Sequence, residues 1–192
     1  MENKPNNQPK KSIHFQLCKQ IQDTLSPFLY IKIVKKNEII LSEGNTCKSI
    51  YFIRSGSIKQ YYISDGKEFI QNFYFEGHMA SHFNSFLTQT PSNSYLEAMQ
   101  GSELWILSYH NFKKIESASP RFNQEIAICM AKMNSTRINL LLLSDAMTRY
   151  QKFLRDEPDL LQKVPQYMIA SYLGMTPETL SRIRKRLSYN AA

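Results

Sequence analysis

The spacing of apolar residues changes twice along this chain, and each change marks a different kind of element. Ile13, Leu17, Ile21 and Leu25 recur every four residues, with Phe15 and Cys18 beside them, which predicts a short amphipathic helix. From Tyr30 to Tyr109 the period becomes two. Ile31, Ile33 and Ile39–Leu41 flank a Lys36-Asn37 turn, and Ile50, Phe52 and Ile58 flank Ser55-Gly56-Ser57. Tyr61–Ile63 and Phe69–Phe75 flank Asp65-Gly66, and Leu104, Ile106 and Tyr109 follow Gly101. Five glycines (Gly44, Gly56, Gly66, Gly77, Gly101) punctuate this stretch. Short alternating runs separated by turn signals predict an antiparallel barrel or sandwich, and the lack of strand–helix alternation argues against a doubly wound sheet.

After Pro120 the helical period returns. Ile126, Met130, Met133 and Leu140 fall in one heptad register that also takes in Arg137, Ser144 and Met147. A helix over 121–144 would be roughly 36 Å long at about 1.5 Å per residue. The register predicts a seam for a second copy of the chain, with Ile126, Met130, Met133, Arg137 and Leu140 as the interface. The competing reading is a helix lying on its own barrel. The Leu140–Leu143 run supplies apolar side chains to more than one face and weights the balance toward a homodimer. A further helix begins at Asp145-Ala146-Met147 and is broken by Asp156-Glu157-Pro158-Asp159.

The last third holds the most informative pattern. Ile169 and Leu173 share a face with the small Ala170 beside them, and Gly174 suits a left-handed helix stop. Thr176 suits an N-cap and Pro177 the first helical position. Leu180, Ile183 and Leu187 then make the inner stripe of a second helix. Helix, tight glycine turn and helix at this spacing predict a helix-turn-helix. Its outer face carries Glu178, Ser181, Arg182 and Lys185, flanked by Arg184 and Arg186. Arginine can bond guanine O6 and N7 together and glutamate can accept from cytosine N4, while the flanking cations suit phosphates. The plainer reading is a solvated face with a Glu178–Arg182 ion pair.

Composition decides between them. The 192 residues carry 24 Lys plus Arg against 16 Asp plus Glu, a net charge of +8, which points to an anionic partner. With the helix-turn-helix spacing, that partner is double-stranded DNA. Three cysteines, Cys18, Cys47 and Cys129, lie far apart with no CxxC, which excludes a zinc ribbon, a thioredoxin motif and a clustered iron–sulfur site. Residues 1–11 are polar with Pro5 and Pro9, carry no signal-peptide core, and read as a disordered tail. No apolar run approaches a membrane span. The expectation is a cytoplasmic protein, not an enzyme, with no cofactor and no metal.

Two words carry a family resemblance: Phe52-Ile53-Arg54-Ser55-Gly56-Ser57, and Ile169-Ala170-Ser171-Tyr172-Leu173-Gly174 continuing to Glu178-Thr179-Leu180-Ser181-Arg182-Ile183-Arg184. With the element order from Ile13 to Leu187, the chain resembles a Crp/Fnr family transcription regulator. The resemblance implies an α+β chain. A jelly-roll-like antiparallel β-roll over 12–120 is followed by a dimerisation helix over 121–144 and a helix-turn-helix domain over 145–192. It implies DNA contacts from Thr176, Glu178, Ser181, Arg182, Arg184, Lys185 and Arg186. The Glu, Ser and Arg spacing is similar to the Fnr branch, which reads a TTGA-like half-site. Pro177 stands where the cyclic-AMP receptor branch has a base-contacting arginine. Homodimerisation, RNA polymerase as a partner and a small-molecule effector of unknown identity also follow from it, and the position of Ser144-Asp145 between the long helix and the helix-turn-helix predicts that any signal passes through that junction. The sequence ends at Ala192, where many members continue into a β-hairpin wing.

In cyclic-nucleotide-binding members a Gly-Glu pair takes the ribose and an Arg-Ser pair the phosphate. Here these fall at Ser81-His82 and near Ser92-Asn93, after Gly77 and His78. A buried cyclic phosphate without a cation is costly, so the pocket reads as degenerate and cyclic AMP as an improbable ligand. Two rivals stay open. His78, His82 and His110 on a β-roll suggest a cupin-like metal enzyme, but the HxH pair is missing, and His78 and His82 lie at helical spacing. The basic charge alone would also suit a membrane-peripheral or partner-binding module. No GxSxG, HExxH, Walker or GxGxxG motif occurs.

Overall fold

The computed structural model describes residues 25–118, 120–143, 145–157 and 160–189. The expected helix over 13–25 and Cys18 lie outside them, except for Leu25.

Among the described residues eight strands form two antiparallel four-stranded sheets: β1 (Tyr30–Val34), β2 (Ile39–Leu41), β3 (Ser49–Ser55), β4 (Ser57–Ser64), β5 (Lys67–Phe75), β6 (Met79–Ala80), β7 (Tyr95–Ala98) and β8 (Ser102–Ser108). One sheet has the order β1-β8-β3-β6 and the other β2-β7-β4-β5. The α+β class and the antiparallel roll are as the alternating pattern predicts. The turn signals have different jobs, however. Asp65 and Gly66, with φ of 50° and 70°, close the β4–β5 hairpin as a two-residue turn whose twist matches its strands. The turn at Lys36-Asn37 instead carries the chain from one sheet to the other, as does Gly56 between β3 and β4.

Gly56 is required there on two counts. Its φ is +97°, and a Cβ would collide with Ser102 Oγ and lie 2.7 Å from the Ser102 Cα. Ser102 Oγ in turn accepts from the Ser57 N–H at 3.0 Å. Gly56→Ala is expected to destabilise the roll by about 1–3 kcal/mol, visible as a lower denaturant midpoint with an unchanged slope.

Among the described residues a 3-10 turn at Ser26–Phe28 precedes the strands, and from Phe83 on there are seven α-helices: α1 (Phe83–Thr88), α2 (Tyr109–Ala118), α3 (Pro120–Leu141), α4 (Ala146–Asp156), α5 (Leu160–Lys163), α6 (Gln166–Tyr172) and α7 (Pro177–Tyr189). The sequence pattern does not show α1 or α2. They are joined through aromatic rings: Phe86 of α1 meets Phe112 of α2 edge-on at 5.1 Å, and Phe112 meets Phe122 of α3 at 5.7 Å.

Two cores result. The first holds Ile50, Phe52, Ile58, Leu96 and Leu104 from the strands and takes in Phe122, Ile126 and Cys129 from the start of α3. The second joins Tyr61, Ile70 and Phe73 from the roll to Leu140, Tyr150, Phe153, Ile169, Leu173, Leu180 and Ile183. The helix-turn-helix is therefore packed on the β4–β5 hairpin of its own chain.

In this structure several residues of the predicted dimer seam face their own chain. Ile126 and Leu140 are buried inside the chain, Met130 packs against the first core, and Arg137 reaches the Ile70 carbonyl of β5. The Met133 side chain lies outside the described residues. The exposed line on α3 and its end runs instead through Gln124, Ile128, Ala131, Ser135, Ile138 and Leu142. Ile138 is 55% exposed and Leu142 76%. Both lines have heptad spacing. They differ by two residues, about 200° around a helix, and so lie on nearly opposite faces. Periodicity alone does not say which stripe the chain keeps for itself.

Candidate nucleic-acid interface and roll cavity

Helix α6 ends where Gly174 adopts φ +64°. The Gly174 N–H bonds to the Ser171 carbonyl and the Met175 N–H to the Ala170 carbonyl, both at 3.0 Å. This is the paired closure that satisfies the last carbonyls of a helix and turns the chain sharply. Ala170 is fully buried, which allows α6 and α7 to approach closely. Thr176 then caps α7, its Oγ accepting from the Thr179 N–H at 3.2 Å. Leu180 and Ile183 are buried, and Leu187 packs on the same core.

Every other predicted contact residue on this helix faces outward: Glu178, Ser181, Arg182, Arg184, Lys185 and Arg186 are exposed, as is Thr176. The Arg182 Nε approaches the Glu178 backbone carbonyl at 3.4 Å. The Glu178 carboxyl is held below its usual range by its own backbone N–H and the Thr176 hydroxyl, with a smaller contribution from Arg182. It is thus an ionised acceptor in the first turn of α7, where negative charge is favourable.

Asp145 caps α4 at the other side of this unit. Its Oδ1 accepts from the Thr148 N–H at 2.9 Å and its Oδ2 from the Thr148 hydroxyl at 2.6 Å, which lowers its pKa. A depressed folded-state pKa means that the cap's contribution is present above the unfolded pKa and lost as pH falls through the folded one. The protection of the Thr148 amide against exchange, taken relative to its intrinsic rate at each pH, is expected to fall on acidification across that window, and this fall should be absent in Asp145→Asn. Ser144, the other half of the predicted junction, lies outside the described residues.

The roll-side residues are placed as follows. Gly77 and His78 form the turn before β6. His82 is the N-cap of α1, accepting from the Ser85 N–H through Nδ1 at 3.1 Å. Its Nε2 pairs with Asn93 Oδ1 at 2.8 Å, and since Oδ1 can only accept, the ring is the neutral Nε2–H tautomer. The structure thus brings the two expected pocket words together as a His82–Asn93 pair carrying no charge. Ser81 bonds the Ser49 carbonyl and Ser92 the Ser94 carbonyl. The helical relation expected for His78 and His82 is corrected: β6 lies between them, and only the cap His82 adjoins a helix. No group of three metal-ligating side chains occurs among the described residues.

A cavity of about 520 Å³ adjoins this pair. It lies between the β4–β5 hairpin, the segment Ser81–Asn84, helix α3 and the turn after α6. On its roll side Gln60 Oε1 accepts from the Tyr74 hydroxyl at 2.7 Å, while its Nε2 donates to Ser94 at 3.1 Å. The sequence pattern does not single out Gln60, Tyr74 or Ser171, and it places Arg137 on a dimer seam rather than on this cavity. Gln60 and Tyr74 sit in ordinary strand alternation, and Ser171 is one letter inside the helix-turn-helix word.

The described residues thus form a two-sheet roll, a long helix and a C-terminal helix-turn-helix with a cationic outer face. Residues 31–118 match the cyclic nucleotide-binding domain family. The chain is 26% identical over 190 residues to the anaerobic regulatory protein of Haemophilus influenzae, covering 91% of this chain and 73% of that protein. The structure of FixK2 from Bradyrhizobium japonicum superposes with a TM-score of 0.70 at 19% identity, covering 85% of this chain and 86% of that one. A Eubacterium rectale protein assigned to the Crp/Fnr family superposes at 0.66 with 23% identity, covering 88% and 82%. The chain is thus similar in sequence to anaerobic regulatory proteins and shares its fold with a structure assigned to the Crp/Fnr family. No described helix is long and apolar enough to cross a membrane.

Proposed function

We propose that this chain is a sequence-specific DNA-binding transcription regulator that acts as a homodimer on a palindromic site. Residues 12–120 serve as the sensor-type roll, 121–144 as the connecting helix and 145–192 as the reader, with RNA polymerase as a partner. The reading rests on one observation above others: α7 buries Leu180 and Ile183 while presenting Glu178, Ser181, Arg182 and Lys185 together on its outer face. A two-fold pair of such helices fits successive major grooves roughly 34 Å apart. The relatives' names, all of regulatory proteins, support the same reading. Selection from random duplex DNA is expected to enrich a two-fold symmetric site with TTGA-like halves. Enrichment of no motif would overturn the proposal.

The neutral His82–Asn93 pair supports control by something other than cyclic AMP. A cyclic phosphate there would find no cation in the roll's own pocket words.

The partner-facing stripe is assigned to Ile128, Ala131, Ser135, Ile138 and Leu142. Ile138→Glu places a charge on that stripe without touching either core. It is expected to convert dimer to monomer in sedimentation, with the circular dichroism spectrum unchanged. An Ile138→Glu protein that sediments as a dimer would show that the chain pairs elsewhere.

A further inference from the structure

Two helices end at the junction between the long helix and the helix-turn-helix, and one side chain binds backbone carbonyls at both ends. Arg149 lies half-buried at the start of α4. Its Nη1 donates to the Leu143 carbonyl, just past the end of α3, at 2.9 Å. Its Nε donates to the Leu173 carbonyl, at the C-cap of α6, also at 2.9 Å. Carbonyls at a helix end lack a partner within the helix and carry the negative end of its dipole, so a cation is well placed there. The two bonds use different nitrogens of one rigid plane, which fixes the guanidinium against both ends at once. Leu173 is fully buried and stands directly before Gly174, whose left-handed turn sets the direction of α7. Asp145, the cap of α4, feels the same positive charge as a small influence beside its Thr148 bonds. The long helix also meets this unit through Leu140 in the second core and Arg137 over the Tyr172 ring. Those are apolar or ring-face contacts, which are less directional than a pair of hydrogen bonds.

We infer that Arg149 is a positioning residue for DNA recognition: it locks α7 to α3 and so sets the distance between the two recognition helices of a dimer. The inference rests on the reading of the chain as a dimeric DNA-binding regulator. In such a dimer the paired long helices are the frame from which the recognition helices project. Slack between α3 and α7 within each copy becomes slack in the spacing of the pair. One base pair added between half-sites moves them apart by about 3.4 Å and turns one against the other by roughly 35°. A locked pair of helices meets that offset by losing contacts, whereas a slack pair follows it. Both bonded donors of Arg149 are turned toward Leu143 and Leu173, inside the protein. What it controls is therefore the spacing of half-sites and not the identity of their bases.

The test measures the affinity of the full chain, of Arg149→Gln and of Arg149→Lys for the selected palindrome and for versions with one base pair added to or removed from its centre. The wild type is expected to bind the altered spacings about tenfold or more weakly than the selected one. In Arg149→Gln that ratio is expected to shrink to about threefold or less, with the same preferred bases in each half-site. Lysine keeps the cation but offers a single nitrogen on a flexible stem, so Arg149→Lys should fall between the two. Loss of a merely structural contact would lower affinity for all three spacings in proportion and leave the ratio as it was. An unchanged ratio in both variants, or in Arg149→Lys where circular dichroism finds Arg149→Gln unfolded, overturns the inference. Equal binding of all spacings by the wild type does so too. A wild-type chain that selects no palindrome refutes the DNA-binding reading and this inference with it, whereas a selected palindrome with an unchanged ratio leaves that reading standing.

Discussion

Replacing Arg182 by alanine is expected to abolish discrimination at one base pair of each half-site while leaving general DNA affinity nearly intact. Arg182 is exposed one turn after Glu178, away from the buried Leu180–Ile183 stripe, with a long contact from its Nε to the Glu178 carbonyl and the Glu178 carboxylate nearby. Its guanidinium is therefore available to a guanine edge. Loss of a two-bond contact costs about 1–3 kcal/mol per site and relaxes that position. Lys185→Ala should behave differently, weakening selected and scrambled DNA alike and reducing the slope of log affinity against log salt by about one. Titrations of both variants on both DNAs at several salt concentrations separate the roles. Equal weakening on both DNAs by Arg182→Ala would make that residue a backbone clamp.

The second large effect is structural. Leu180 is 1% exposed and sits where α7 meets Ile169, Leu173 and Phe153. Leu180→Ala removes a fully buried side chain from a small core and is expected to cost about 2–5 kcal/mol. That is a large fraction of the stability of a unit this size. Trp105, the chain's single tryptophan, lies in β8 on the roll. It offers an internal control: DNA binding and helical signal should melt early, while tryptophan fluorescence retains the roll's transition. Coincident early melting by both probes would mean that the second core is not separable from the first.

The parts of this molecule that sequence makes legible are those whose chemistry is local. Gly174, Thr176, Pro177 and the Leu180–Ile183 spacing each answer a nearby backbone requirement, so the turn and the outward face of α7 can be read directly. The alternating strands are legible for the same reason. What is not legible depends on a choice between long-range partners. Ile126, Arg137 and Leu140 share a heptad register whether they face a second chain or their own, and only packing decides. Ser171 is the clearest case. As a helix residue it carries no signal, yet its Oγ accepts from the Ile70 N–H at 2.9 Å and approaches the Glu68 carbonyl at 3.3 Å, a hundred residues away in sequence. His82 and Asn93 likewise acquire meaning only through each other.

That position of Ser171 has a consequence for solubility. Strand β5 is the last strand of its sheet, and its outward groups at Glu68 and Ile70 are covered by Ser171 and Arg137 rather than by another strand. An uncovered row of backbone donors and acceptors is a template for strand addition from another molecule. Any movement that swings the helix-turn-helix away from the roll therefore uncovers an adhesive edge. Variants that weaken the docking, Ser171→Ala foremost, should form strand-rich aggregates on prolonged incubation sooner than the parent protein.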